Sequence, residues 1–216
     1  MYKRALAVVA GVMLLGCSQK ADDAKNALSA IKAAAEVASN AGAAQNEAEK
    51  FYNERKAKGD TLAMPYADLQ KFLPSAPDGY KAAEEPGGSS QSMGGFSMSQ
   101  AEQTFNAPAG ADGNTPNIKV TIVDLGGTQA AYGMMALPMM MDLSQEDAHH
   151  RMKTHKMDAA YSWASEEYDK DSKDAKTSIV TRYRYMVTVE ARNQSADQTA
   201  MVRSLAEDIA KKFEGK

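Results

Sequence analysis

Between Asn117 and Asp124, Ile118, Val120 and Ile122 alternate with Lys119 and Thr121. Successive strand side chains point to opposite faces, so the pattern predicts a half-buried strand. The longest such run is Ile179 to Arg192. There Ile179, Tyr183, Tyr185, Val187, Val189 and Ala191 share one face, and Arg182, Arg184, Thr188, Glu190 and Arg192 take the other. Met157, Ala159, Tyr161 and Trp163 alternate similarly, and the DKDSKD that follows predicts a turn. Another strand is predicted from about Phe96 to Phe105. It is entered from EEPGGSSQSMGGFSMS, Glu84 to Ser99, whose Gly and Ser content reads as a mobile loop. One-sided alternation predicts an antiparallel sheet with one covered face, since parallel strands are usually apolar on both.

Helices supply the cover. Val202, Leu205, Ala206, Ile209 and Phe213 recur at helical spacing, and Ser195 with Gln198 three residues on forms a capping box ahead of them. Tyr66, Leu69, Phe72 and Leu73 predict a short helix ended by Pro74. Ser144 and Asp147 read as another helix start, with Glu146 and His150, and Asp147 and Arg151, as solvated pairs four apart. The predicted fold class is therefore α+β: an antiparallel sheet covered on one face by helices, preceded by an Ala-rich helical extension. In element order it resembles small sandwich domains of the PsbP kind, a likeness of architecture that carries no function.

The extension runs from Ser18 to about Gly59, and alanine with charged straight-chain residues favours helix throughout. Leu28, Ile31, Ala35 and Ala38 form a thin apolar stripe, and Ser39 to Gly42 breaks it. A stalk, a weak coiled coil and a helix docked on the domain all fit such a stripe. The predicted organisation is residues 1–16, then 17–59, then a globular domain over 60–216.

Residues 1–16 begin with Lys3 and Arg4 and continue as an apolar run from Ala5 to Leu15. This is the layout of a secretory signal, and the run is about half the ~20 residues a membrane-spanning helix needs. It ends in Leu14-Leu15-Gly16-Cys17, which resembles the lipobox of bacterial lipoproteins. The resemblance implies cleavage before Cys17, a diacylglycerol on its sulfur and an acylated amine, so the membrane is a partner through this covalent lipid and no other cofactor is expected. Ser18 in place of Asp implies an outer-membrane destination facing the periplasm in a Gram-negative host. Cys17 is the single cysteine, so the domain has no internal disulfide and depends on its packed core.

Cleavage removes Lys3 and Arg4, taking Lys+Arg from 25 to 23 against 28 Asp+Glu, a net charge of −5. No basic stripe of the kind nucleic acid requires is visible. Asp124-Leu-Gly-Gly-Thr128 resembles the D-x-G-G-T loop of sugar kinases in the actin-like ATPase group. In those enzymes a strand follows the loop, whereas here TQAAYGMMAL reads as helix with Thr128 as its N-cap. No second nucleotide motif accompanies it, so nucleotide is not expected as a partner.

Tyr132 to Met141, YGMMALPMMM, followed by His149, Met152 and His155, raises copper, because thioether and imidazole are copper ligands. The competing explanation is structural: methionines fill irregular cores, and the adjacent His149 and His150 diverge. G-x-S-x-G, H-E-x-x-H and C-x-x-C are all missing from the sequence, so no catalytic set is expected. Glu166-Glu167 and Asp22-Asp23 are adjacent pairs whose side chains point apart on a strand. Arg182, Arg184 and Arg192 read as a stripe on one sheet face. The sequence therefore predicts a non-enzymatic envelope protein contacting another envelope protein. The alternative is a small-ligand or copper binder using the Met/His region.

Overall fold

A computed structural model describes residues 46, 49–93, 96–110, 113–126, 143–157 and 162–214. Cys17, the Leu28 to Ala38 stripe, Thr128 with the helix predicted to follow it, the YGMMALPMMM run, Ala159 and Tyr161 lie outside the described residues.

Helix α1 covers residues 49–57. Helix α2, Tyr66–Leu69, runs into a 3-10 turn, Gln70–Phe72, that ends at Pro74 as predicted. The strands are β1 (Lys81–Ala82), β2 (Gly87–Met93), β3 (Phe96–Asn106), β4 (Asn117–Asp124), β5 (Ser144–Glu146), β6 (His150–Lys156), β7 (Ser162–Asp169), β8 (Ala175–Thr181) and β9 (Tyr185–Arg192). Helix α3 is Thr199–Lys211. Among the described residues the strands make one antiparallel sheet in the order β1-β3-β4-β9-β8-β7-β6-β5, with β2 also paired to β3. The α+β prediction holds, β4 falls where the alternation placed it, and β3 covers the strand predicted from about Phe96 to Phe105.

The covered face carries the main core. Ile118, Val120 and Ile122 of β4, Ile179 of β8, and Tyr185, Val187 and Val189 of β9 are buried there with Val202, Ala206 and Ile209 of α3. Burying each such aliphatic side chain is worth about 1.5–3 kcal/mol, and Leu69 of α2 is buried in the same cluster, so α3 and α2 share the cover of this face. Phe213, just past α3, stacks on Tyr185 at 4.3 Å and on Phe72 at 4.6 Å, joining the C-terminal helix to the segment after α2. On the opposite face Val123, Leu125, Trp163, Val180 and Tyr183 form a smaller cluster, against which Phe51 of α1 packs.

Several expectations are corrected. The run from Ile179 to Arg192 is two strands, because the chain reverses at Thr181 to Arg184. Three residues separate the paired Thr181 and Tyr185, so the odd-numbered positions face α3 on both sides of the turn. Parity survives the reversal, and alternation cannot reveal it. The Gly/Ser-rich stretch is not a loop: Gly87 to Met93 is a full strand paired with β3. It lacks alternation because it lies at the sheet edge with nearly every position exposed.

The helix predicted from Ser144 and Asp147 is instead the β5–β6 hairpin. Asp147 Oδ1 accepts from the amides of His149 and His150 at 2.8 and 2.7 Å. This is the bonding an N-cap offers, used here to close a turn. The capping box at α3 is also absent. Helix α3 starts at Thr199, whose amide donates to Asp197 Oδ1 at 2.8 Å, while Gln198 caps nothing with its side chain.

Candidate functional site

The Asp124-Leu125-Gly126 corner is the most elaborately built polar region of the described chain. Strand β4 delivers Asp124 to the sheet end with its side chain fully buried. Arg184, from the β8–β9 turn, grips it with two parallel bonds, Nε to Oδ1 at 2.7 Å and Nη2 to Oδ2 at 2.8 Å. Such bidentate pairs combine charge with fixed geometry. The remaining acceptor capacity goes to backbone: Gly126 N donates to Oδ1 at 2.8 Å and Met64 N to Oδ2 at 2.7 Å.

The network extends outward through a second arginine. Arg184 Nη1 donates to Asp60 Oδ2 at 2.7 Å, and Arg55 Nε, from α1, reaches the same oxygen at 3.1 Å. Both terminal nitrogens of Arg55 donate to the Gly126 carbonyl at 3.2 Å. Burial pushes the Asp60 carboxyl up, but the Arg184 charge and the Arg55 hydrogen bond outweigh it and leave the group below its ordinary value. Burial pushes Arg184 down, and its bonds to Asp124 more than reverse that. The result is a latch of two arginines and two aspartates joining α1 and residues 60–64 to the sheet end.

The latch also settles what Gly126 is for. Its φ is +50°, and a Cβ there would lie 2.5 Å from the Ser97 carbonyl oxygen and 2.7 Å from Ala63 N. No larger residue fits that approach. Of the D-x-G-G-T match, Asp124 and Gly126 are thus committed to internal contacts, while Gly127 and Thr128 lie outside the described residues.

The turn that carries Arg184 is itself unusual. Arg182 and Tyr183 have φ of 55° and 49°, and Arg184 N donates to Thr181 O at 3.2 Å. Positive φ at both central residues is the mirror-image turn that normally recruits Gly or Asn, and each L-residue there costs about 1–2 kcal/mol. Contacts hold it in place. Tyr183 packs against Trp163 at 5.0 Å, Arg182 lies over the Phe51 ring at 4.8 Å, and Arg182 also donates to the Glu214 carbonyl. The predicted arginine stripe is therefore not formed. Arg182 is in the turn, Arg184 is buried in the latch, and exposed Arg192 pairs with Glu190 at 2.7 Å.

The Met/His set does not converge either. His149 precedes β6, and its Nδ1 meets Asp171 Oδ2 at 2.8 Å. Met152 and His155 both lie on β6, an odd number of residues apart, so they point to opposite faces. His155 Nδ1 lies 3.9 Å from Glu166 Oε1, too far for a hydrogen bond, and Glu166 is paired with Arg203 at 3.2 Å. Among the described residues no group of three or more His, Cys, Asp or Glu is placed to hold a metal. Glu166 and Glu167 point apart as expected, Glu166 being buried and Glu167 half-exposed.

A cleft of about 620 Å³ opens beneath the C-terminal half of α3, lined by His155, Ser162, Thr181, Glu207, Lys211 and Glu214 among others. It carries both signs of charge. Ser162 Oγ donates to Thr181 Oγ1 at 2.9 Å, so its hydroxyl is engaged within the sheet. Sequence reasoning gave this cleft no signal, because its lining comes from four separate elements.

No family model matches the chain, and no curated protein matches it. Among solved structures, the extracellular domain of PknH from Mycobacterium tuberculosis is similar with a TM-score of 0.43 and 9% identity, covering 72% of this chain and 100% of that one.

Proposed function

We propose that this chain is a lipid-anchored cell-envelope protein whose α+β domain is a non-enzymatic binding or interaction module. The observation that carries the reading is the order of residues 1–17: Lys3 and Arg4, the apolar run, Gly16 and then Cys17. A signal segment ending in a small residue and cysteine is a substrate for lipid transfer and cleavage. Each buried methylene contributes about 0.8 kcal/mol, so one acyl chain binds reversibly and several anchor stably. Ser18 after the cysteine supports an outer-membrane address in a Gram-negative host.

Support for a non-enzymatic role comes from how the chain uses its polar groups. Asp124 and Gly126, the described part of the only motif resembling an enzyme loop, are engaged in the latch. The anchor is tested by growing the host with an alkyne-bearing palmitate and measuring intact masses. The expected result is a labelled wild-type chain beginning at Cys17 and an unlabelled Cys17→Ser chain that keeps residues 1–16. Equal labelling of the two, or a Cys17→Ser chain processed to the same start as wild type, would overturn the reading.

A further inference from the structure

The two edges of the sheet are built differently. At one edge β5 has three residues and includes Glu146, which pairs with Lys170 at 2.8 Å. Short, charged edges resist pairing with other chains. At the other, β2 presents seven residues, Gly-Gly-Ser-Ser-Gln-Ser-Met, with no charge and no proline inside the strand. Among the described residues β2 pairs only with β3, and no other described strand lies along its outer side. Helix α2 lies over one face of β2: the Tyr66 amide donates to Ser90 Oγ at 3.0 Å. It does not close the hydrogen-bonding edge.

The sequence of β2 points to what fits there. Its small residues, Gly87 to Ser90, come first and its larger ones, Gln91 and Met93, come last. Antiparallel self-pairing centred on Ser90 sets Met93 opposite Gly87, Ser92 opposite Gly88, and Gln91 opposite Ser89. Every larger side chain then meets a glycine or a serine, and no like charges face each other. Met93, 81% exposed, gains cover over Gly87 of the second copy. Gln70 Nε2 already donates to the Pro86 and Gly87 carbonyls at 2.7 and 3.2 Å, so the new ladder runs through Gly88 to Ser92.

We infer that β2 is a self-association edge, through which two copies of this chain join their sheets antiparallel about a two-fold axis at Ser90. The pairing needs no lipid and does not depend on the anchor.

The test uses the full chain carrying Cys17→Ser, purified in detergent, so that an introduced thiol is the only one. Directly opposed residues of an antiparallel pair have Cα atoms about 4.5–5.5 Å apart. Ser90→Cys should therefore oxidise to a covalent dimer. Ser92 is displaced from its counterpart by four residues, about 13 Å, so Ser92→Cys should not. Sedimentation of the Ser89→Lys, Gln91→Lys double variant, with thermal unfolding as its folding control, should show a dimer fraction at least tenfold below that of the parent chain. A monomeric parent, or equal cross-linking at positions 90 and 92, would overturn the inference. Capture of a different envelope protein at Ser90→Cys in cells, with no self-dimer, would also overturn it and assign the edge to a foreign strand.

Discussion

Arg184 and Arg192 bracket the last strand, and their surroundings give them opposite worth. Arg192 holds Glu190 at the surface, where an ion pair contributes about 0–1 kcal/mol. Arg184 holds a carboxylate with no solvent exposure, and removing it leaves that charge buried and unpaired. Arg184→Met should therefore lower unfolding free energy by about 3–5 kcal/mol, and Arg192→Met by less than about 1 kcal/mol. Urea midpoints of the two variants at neutral pH check the difference; equal midpoints would mean that Asp124 finds other compensation. Sequence pattern cannot make this distinction, because both arginines follow the same alternation and only tertiary packing buries one of them.

Individual elements were legible wherever burial was one-sided. Strand β4, the helix–turn before Pro74, and α3 all sit with one face in the core, and their periodicity records it. Legibility failed where a local signal serves two structures. Asp147 offers the acceptor that would start a helix, yet its neighbours close a hairpin, and β6 owes its form to pairing with β7. Strand β2 fails for the opposite reason, having no buried face to leave a pattern. The latch left almost no trace, since Arg55, Asp60, Asp124 and Arg184 meet only through the fold. At α3 the correction is measurable. Asp197→Ala should cost about 1 kcal/mol by removing the acceptor for Thr199 N, whereas Ser195→Ala should cost about a tenth of that. Thermal midpoints of both variants decide between them, and the reverse order would restore the capping box.

At the scale of the whole domain, the latch decides whether α1 moves with the sheet. Phe51 and Arg55 are the side chains through which residues 49–57 reach Arg182, Asp60 and Gly126. Arg55→Leu should release that segment without unfolding the rest. Hydrogen exchange is expected to quicken about 10-fold or more over residues 49–64, while β4, β8 and β9 keep their protection. Uniform acceleration across the sheet would instead make α1 part of the cooperative core.

The separations within the latch also impose an order in time. Asp60 waits for Arg184, 124 residues later, and Arg55 waits for Gly126, 71 residues later. The chain emerges N-terminus first, so Arg55 and Asp60, five residues apart, can meet at once, whereas Asp60 reaches Arg184 only after nearly the whole domain has followed it. Closures over such spans come late on the folding route. The latch therefore acts chiefly on how long the finished domain stays shut rather than on how fast it forms.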